Sequence, residues 1–162
     1  MAGFTTGPLF LTHADGRVDT VRVEAVEAWR LHDGGEVAWS GRDGGGGYEN
    51  EGQSLRIAAA DSVTTPRVVI RETFMIDSIE ELRDRDGRRL VAVAMVDGGA
   101  GMPHLALVDP VRGVVYRAVR ARIAERGDTL TIEHLEPEGS NQASVVERIT
   151  IRELLVRPTL VP

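Results

Sequence analysis

The chain has no cysteine and no lysine, only 4% aromatic residues, and no unbroken apolar run that approaches a membrane span. The first absence removes disulfides, thiolate nucleophiles and cysteine-bound zinc or iron–sulfur sites, and leaves packing to stabilise the fold. Without lysine, all 19 basic residues are arginine, which excludes Schiff-base chemistry and a P-loop lysine. We read that bias as one of GC-rich bacterial coding, with no functional reason. A net charge of −6 opposes nucleic acid as a partner, because such binding draws most of its affinity from cationic contacts to phosphate. Arg117, Arg120 and Arg122, in YRAVRAR, form a local concentration of basic residues. With so few aromatics to stack on bases, they read as the solvated face of a strand. A membrane helix needs about 20 apolar residues, so no membrane is expected as a partner. The start, MAGFTTGPLFLTHADG, lacks the basic and apolar regions of a secretory signal, so we expect a cytoplasmic protein.

What the chain does have is a recurring turn signal between alternating apolar segments. HADGRV at 13–18, HDGGEV at 32–37, DRDGRRL at 84–90, DPVRGVV at 109–115 and ERGDTL at 125–130 each place Asp, Gly or both where a hairpin needs them. At 162 residues the chain has room for one well-buried core, and we read 1–162 as a single β-barrel domain. The expected fold is all-β, an antiparallel meander of eight to ten strands closing into a small lipocalin-like barrel, with a two-sheet β-sandwich as the alternative. The likeness to lipocalins is one of shape alone: Trp29 stands in EAW and Trp39 in AWSG, and neither lies in a G-x-W near the start.

The segments follow in order. Residues 1–12 lead into a first strand, and 17–32 alternates with strand period, although a helix ending at Gly34 also fits. Residues 41–53, GRDGGGGYENEGQ, read as a flexible loop; Asp43, Glu49, Asn50 and Glu51 lack the spacing of a calcium loop. Strands are expected at 54–60 and 67–76, then one helical turn around Ile79 and Leu82. RRLVAVAMV at 88–96, apolar on both registers, is the candidate central strand. Strands at 105–108, 114–123, 129–135 and 144–156 complete the meander.

Several polar residues interrupt the apolar register. Glu72 is in phase with Val68, Ile70, Phe74 and Ile76, and Arg117 with Val115, Val119, Ala121 and Ile123. His134 follows Leu130 and Ile132, Glu147 and Glu153 flank Ile149 and Ile151, and Glu27 lies between Ala25 and Trp29. Charges pointing into a core are tolerated when they are paired, hydrated or facing a polar cavity. The expectation is therefore a small-molecule binding protein, a carrier or sensor. Arg117, Glu72, His134, Glu147 and Trp29 would hold a partly apolar, anionic ligand in a barrel cavity, with Arg117 as anchor through its planar fork of donors. A β-bulge, which sends every later side chain to the other face, would undo any one of these assignments.

Two alternatives belong to other classes. The same carboxylates and His134 would serve acid–base chemistry, such as isomerisation, cyclisation or hydrolysis, if they share a pocket. A cavity-free core with an exposed apolar patch or strand edge would instead mark an interaction or assembly module, with a homodimer as its simplest form. No cofactor is implied. His13, His32, His104 and His134 are scattered without metal-ligand spacing, and His32 and His104 are expected on solvent-facing loops. Ser40 and Ser140 lack the G-x-S-x-G setting of a nucleophile.

Overall fold

The computed structural model describes residues 7–42, 53–97, 99, 101–137 and 144–160. The Gly-rich segment 43–52, with Asp43, Glu49, Asn50 and Glu51, and part of the polar link before residue 144 lie outside the described residues. Two of the turns are the same structure built twice. The His13 N–H donates to the Arg17 carbonyl at 2.8 Å and the Gly16 N–H to His13 at 3.0 Å; Asp84, Arg88 and Gly87 repeat the pattern at 3.0 and 3.0 Å. Gly16 and Gly87 have φ of 84° and 77°, a region where a side chain would be strained, and this is why Asp-Gly recurs at these corners.

The elements are almost entirely antiparallel strands, divided between two compact units, 1–73 and 74–162. The first unit is a five-stranded meander of β1 (Gly7–Thr12), β2 (Val18–Leu31), β3 (Glu36–Arg42), β4 (Gln53–Ala59) and β5 (Val68–Glu72), paired in sequence order. Residues 17–32 thus adopt the strand reading. Leu9, Leu11, Val21, Val37, Trp39, Ala58 and Val63 form its core cluster.

The second unit holds a four-stranded sheet, β6 (Met75–Arg83), β7 (Arg89–Val96), β8 (Pro103–Asp109) and β9 (Gly113–Ala118). A three-stranded sheet follows, β10 (Ala121–Glu125), β11 (Thr129–His134) and β12 (Val145–Thr150), and then a short helix, α1 (Ile151–Val156). Leu82, Leu90, Leu105 and Leu107 from the first sheet share one core with Leu130, Ile132 and Ile149 from the second and with Ile151 and Leu154 of α1. Among the described residues no sheet closes into a barrel, and the two-sheet alternative fits this unit. The ladder breaks because the chain turns at Val119 and Arg120, where Arg120 takes φ of 50°, so that 114–123 forms two strands where one was expected.

Three further expectations are corrected. Residues 75–83 are a strand, not a helical turn: the apolar spacing of Ile76, Ile79 and Leu82 comes from a bulge between Ile76 and Ser78 and from the use of both sheet faces. The last strand stops at Thr150, whose hydroxyl accepts the Glu153 N–H while the Glu153 carboxylate accepts the Thr150 N–H. That capping box starts α1 and places Glu153 on an exposed helix turn instead of a strand face. His104 is in β8, buried and stacked on Phe74 at 3.8 Å, with Nδ1 accepting the Arg120 N–H. His32 is exposed, in a one-turn helix over His32–Gly34. The central-strand reading of 88–96 agrees with β7, which lies between β6 and β8 and is buried from Leu90 to Val93.

Arg112 fastens the C-terminal segment. Its guanidinium donates to the Leu155 carbonyl at 2.5 Å and the Arg157 carbonyl at 3.1 Å, and to Asp109 at 2.7 Å. Burial pushes the Asp109 carboxyl up, but the Val111 and Arg112 N–H groups and the Arg112 charge outweigh it and hold the carboxyl below its ordinary range. Carbonyls that α1 leaves open are thereby satisfied from outside the helix. Arg112→Ala is expected to lower stability by about 1 kcal/mol in urea unfolding, because the bonds are charge-assisted but half-exposed. Faster amide exchange should accompany it at Leu154 to Arg157.

Candidate functional site

The inner face of the four-stranded sheet runs from large side chains to small ones. Ser78 faces Ala94 and Glu80 faces Ala92 across the β6–β7 ladder, while Ala94 faces Leu105 and Ala92 faces Leu107 across β7–β8. Strand alternation puts these residues on the same side as the leucine core, and Ala121 and Ile123 of β10 stand opposite. Where leucines would fill the space, alanines and a serine do not. The result is a partly open hollow of about 110 Å³ at the end of the core. Alternation also turns the His104 ring to the other face, so His104 borders the hollow only as part of β8 between Pro103 and Leu105.

Glu80, Arg122 and Arg126 form the charged part of the lining. Arg126 lies just beyond β10 and directs Nε at both Glu80 oxygens, each at 2.8 Å. Arg122 gives Nε and one terminal nitrogen to Glu133, at 2.8 and 2.7 Å. The site thus has apolar walls and a few oriented polar groups at its opening, the composition of a small-ligand pocket.

A second constellation lies elsewhere in the same unit. The Tyr116 hydroxyl donates to Glu147 Oε2 at 2.7 Å, and His134 Nε2 lies 3.1 Å from the same oxygen. Arg157 sits over the Tyr116 ring, 6.0 Å from its centroid. Burial raises the Tyr116 phenol, and the bond to Glu147 and its negative charge raise it further, well above the ordinary value. Burial also works to raise the Glu147 carboxyl. The bonds from Tyr116 and His134 and the charges of His134 and Arg157 prevail and leave it lowered. Tyr116 is therefore a neutral donor held on an ionised acceptor at neutral pH.

Of the five residues expected to hold a ligand, the structure brings together His134 and Glu147, paired through the β11–β12 register by Ile132↔Glu147 and His134↔Val145. Glu72 is fully buried and Trp29 half-buried in the first unit. Arg117 is exposed and does not point inward. The cause is a bulge: Leu107 pairs with Tyr116 and Val108 with Val114, leaving Val115 extra. Val115 and Tyr116 both face the core as a result, and Arg117 is sent to the opposite side. None of the five lines the hollow.

Tyr116 gave no sequence signal, because only the bulge turns it inward. Arg126 gave none either, as it sits inside a turn motif. The alanines were visible in the VAVA run of β7, where every second position on one register is small. No group of three or more His, Asp and Glu side chains converges on a metal-sized site among the described residues, and no helix among them is long and apolar enough to cross a membrane. Comparison of the chain with family models, with curated proteins and with solved structures finds no match.

Proposed function

We propose that this chain is a small-molecule-binding protein, a carrier or sensor, that holds a partly apolar ligand in the hollow at the end of the second unit's core. The observation that carries this reading is the hollow itself. At the end of the core a row of alanines leaves a concavity of about 110 Å³, open to solvent on one side, beneath a charged rim. An apolar cavity of about 150 Å³ is enough to admit benzene, so the ligand is fragment-sized, or a larger molecule with one small group inserted.

Ala94→Leu tests the reading, because an isobutyl side chain in place of the methyl adds three carbons to a space of about 110 Å³. Its stability is expected to stay within about 1 kcal/mol of the parent, the gain in burial offsetting local crowding. Small amphiphilic fragments detected on the parent by saturation-transfer NMR should no longer bind. Unchanged fragment binding to a folded Ala94→Leu protein would place the ligand elsewhere.

The acid–base alternative is favoured by one observation, the Tyr116, Glu147 and His134 side chains converging on a single carboxylate oxygen. It ranks second because the hollow does not reach them and Tyr116 already directs its proton to Glu147. The interaction-module alternative draws on β12, a sheet edge with Val145 and Val146 exposed; native mass spectrometry of the purified chain gives its oligomeric state.

A further inference from the structure

We propose that the occupant of the hollow is a short-chain monocarboxylate, anchored by the terminal nitrogens of Arg126 with its hydrocarbon tail on the alanine floor. The proposal rests on the ligand-binding reading above and adds the chemical class. The argument begins with the guanidinium. Both Glu80 oxygens are directed at Arg126 Nε, so this ion pair uses only the Nε–H of the planar group. The two terminal nitrogens make no hydrogen bond among the described residues, and they form the fork that matches a carboxylate with two parallel bonds.

Charge at the opening points the same way. The lining residues carry two arginines and one carboxylate, Arg122, Arg126 and Glu80. The charge of that carboxylate is already matched by Arg126, so a cationic ligand meets no net negative charge at the opening, whereas an anion finds donors in place. Ser78, also in the lining, adds a hydroxyl that can donate. Arg122 is the lesser candidate for anchor, since Glu133 already takes Nε and one terminal nitrogen.

Size sets the tail. About 110 Å³ accommodates roughly four carbon-sized groups, taking each as about the volume a water molecule occupies in the liquid. Ala92, Ala94, Leu105, Ala121 and Ile123 offer such a tail only hydrocarbon. A carboxylate with a tail of three or four carbons fits, with its head in the opening.

The test is an NMR titration of the full-length chain with pentanoate, pentan-1-ol and pentylamine, which share a tail and differ in head group. Pentanoate is expected to shift the amides of Ala92, Ala94, Ala121 and Ile123 saturably, at least tenfold more tightly than the alcohol or the amine. Arg126→Gln should weaken pentanoate about tenfold and leave pentan-1-ol unchanged, with thermal unfolding near that of the parent. Ala94→Leu should abolish both. Equal binding of the three probes, or pentanoate binding indifferent to Arg126→Gln, overturns the carboxylate class while the hollow stands as a binding site. Absence of amide shifts with any of the three overturns the class and the binding reading together.

Discussion

Trp39→Ala should lower the stability of the first unit by about 4 kcal/mol, and Trp39→Phe by less than half of that. Trp39 is 1% exposed, at the centre of the cluster that Leu9, Leu11, Val21, Val37 and Ala58 complete. Truncating so large a buried ring removes its transfer free energy and leaves a void, together worth about 3–5 kcal/mol. Its Nε1–H, however, is buried without an acceptor among the described residues, and an unsatisfied donor costs about 1–3 kcal/mol in desolvation. Phenylalanine keeps most of the apolar contact and removes the unmet donor, so the two losses partly cancel. Urea unfolding followed by circular dichroism separates the variants, and Trp29, the other indole, reports on the same unit by fluorescence in both. Equal losses for alanine and phenylalanine would mean that the indole N–H is satisfied and contributes to stability.

The placement of Trp39 shows which parts of the fold were legible. Alternation in SLRIAAA and the Asp-Gly corners specify hairpins through local chemistry, and local chemistry is written in the sequence, whereas the strand that carries Trp39 was not among those expected. Segment 88–96 declared itself a central strand because Leu90, Val91 and Val93 leave neither register polar. Sheet closure was not legible. Whether β9 continues into β10 depends on the backbone at Arg120, whose left-handed φ of 50° is unusual for a residue other than Gly, Asn or Asp. No composition rule predicts it. The capping box at Thr150 was legible in principle, since Thr and Glu stand three apart before Leu154, but the alternation of Ile149 and Ile151 obscured it.

The candidate site was less legible than the fold, for a reason visible at Val115. Period-two phasing carries a side chain's direction along a strand only while no residue is inserted. One extra residue exchanged the roles of Tyr116 and Arg117, so the anchor expected inside lies outside and an aromatic residue takes its place in the core. The partnership of His134 and Glu147 was foreshadowed only as two polar residues on apolar registers. Their proximity needs the β11–β12 register, which the phasing of either strand alone does not give. The hollow illustrates the opposite limit: small residues at alternate positions were plain in the VAVA run, but a void is a property of facing strands, and a single strand does not reveal what opposes it.

Glu147→Ala is expected to lower stability by about 2 kcal/mol and Tyr116→Phe by less than 1, although both remove the same hydrogen bond. Tyr116 is buried and Glu147 partly exposed, so losing the carboxylate leaves a buried hydroxyl with only the long 3.4 Å contact to His134 Nε2, while losing the hydroxyl leaves a carboxylate that water can reach. The double variant should therefore be more stable than the sum of the single losses implies, by about 1 kcal/mol. The pH dependence carries the sign of each shift. Glu147, lowered in the folded state, contributes stability that is complete above its unfolded value, near 4.3, and is lost as the pH falls through the folded one. Tyr116, raised in the folded state, contributes stability that is complete below its unfolded value, near 10, and is lost as the pH rises through the folded one. Urea midpoints measured from pH 3 to 11 should accordingly show a shallower acid limb in Glu147→Gln and a shallower alkaline limb in Tyr116→Phe. Strict additivity in the double variant, with both limbs unchanged, would mean that the bond between them contributes nothing and that the two side chains are only neighbours.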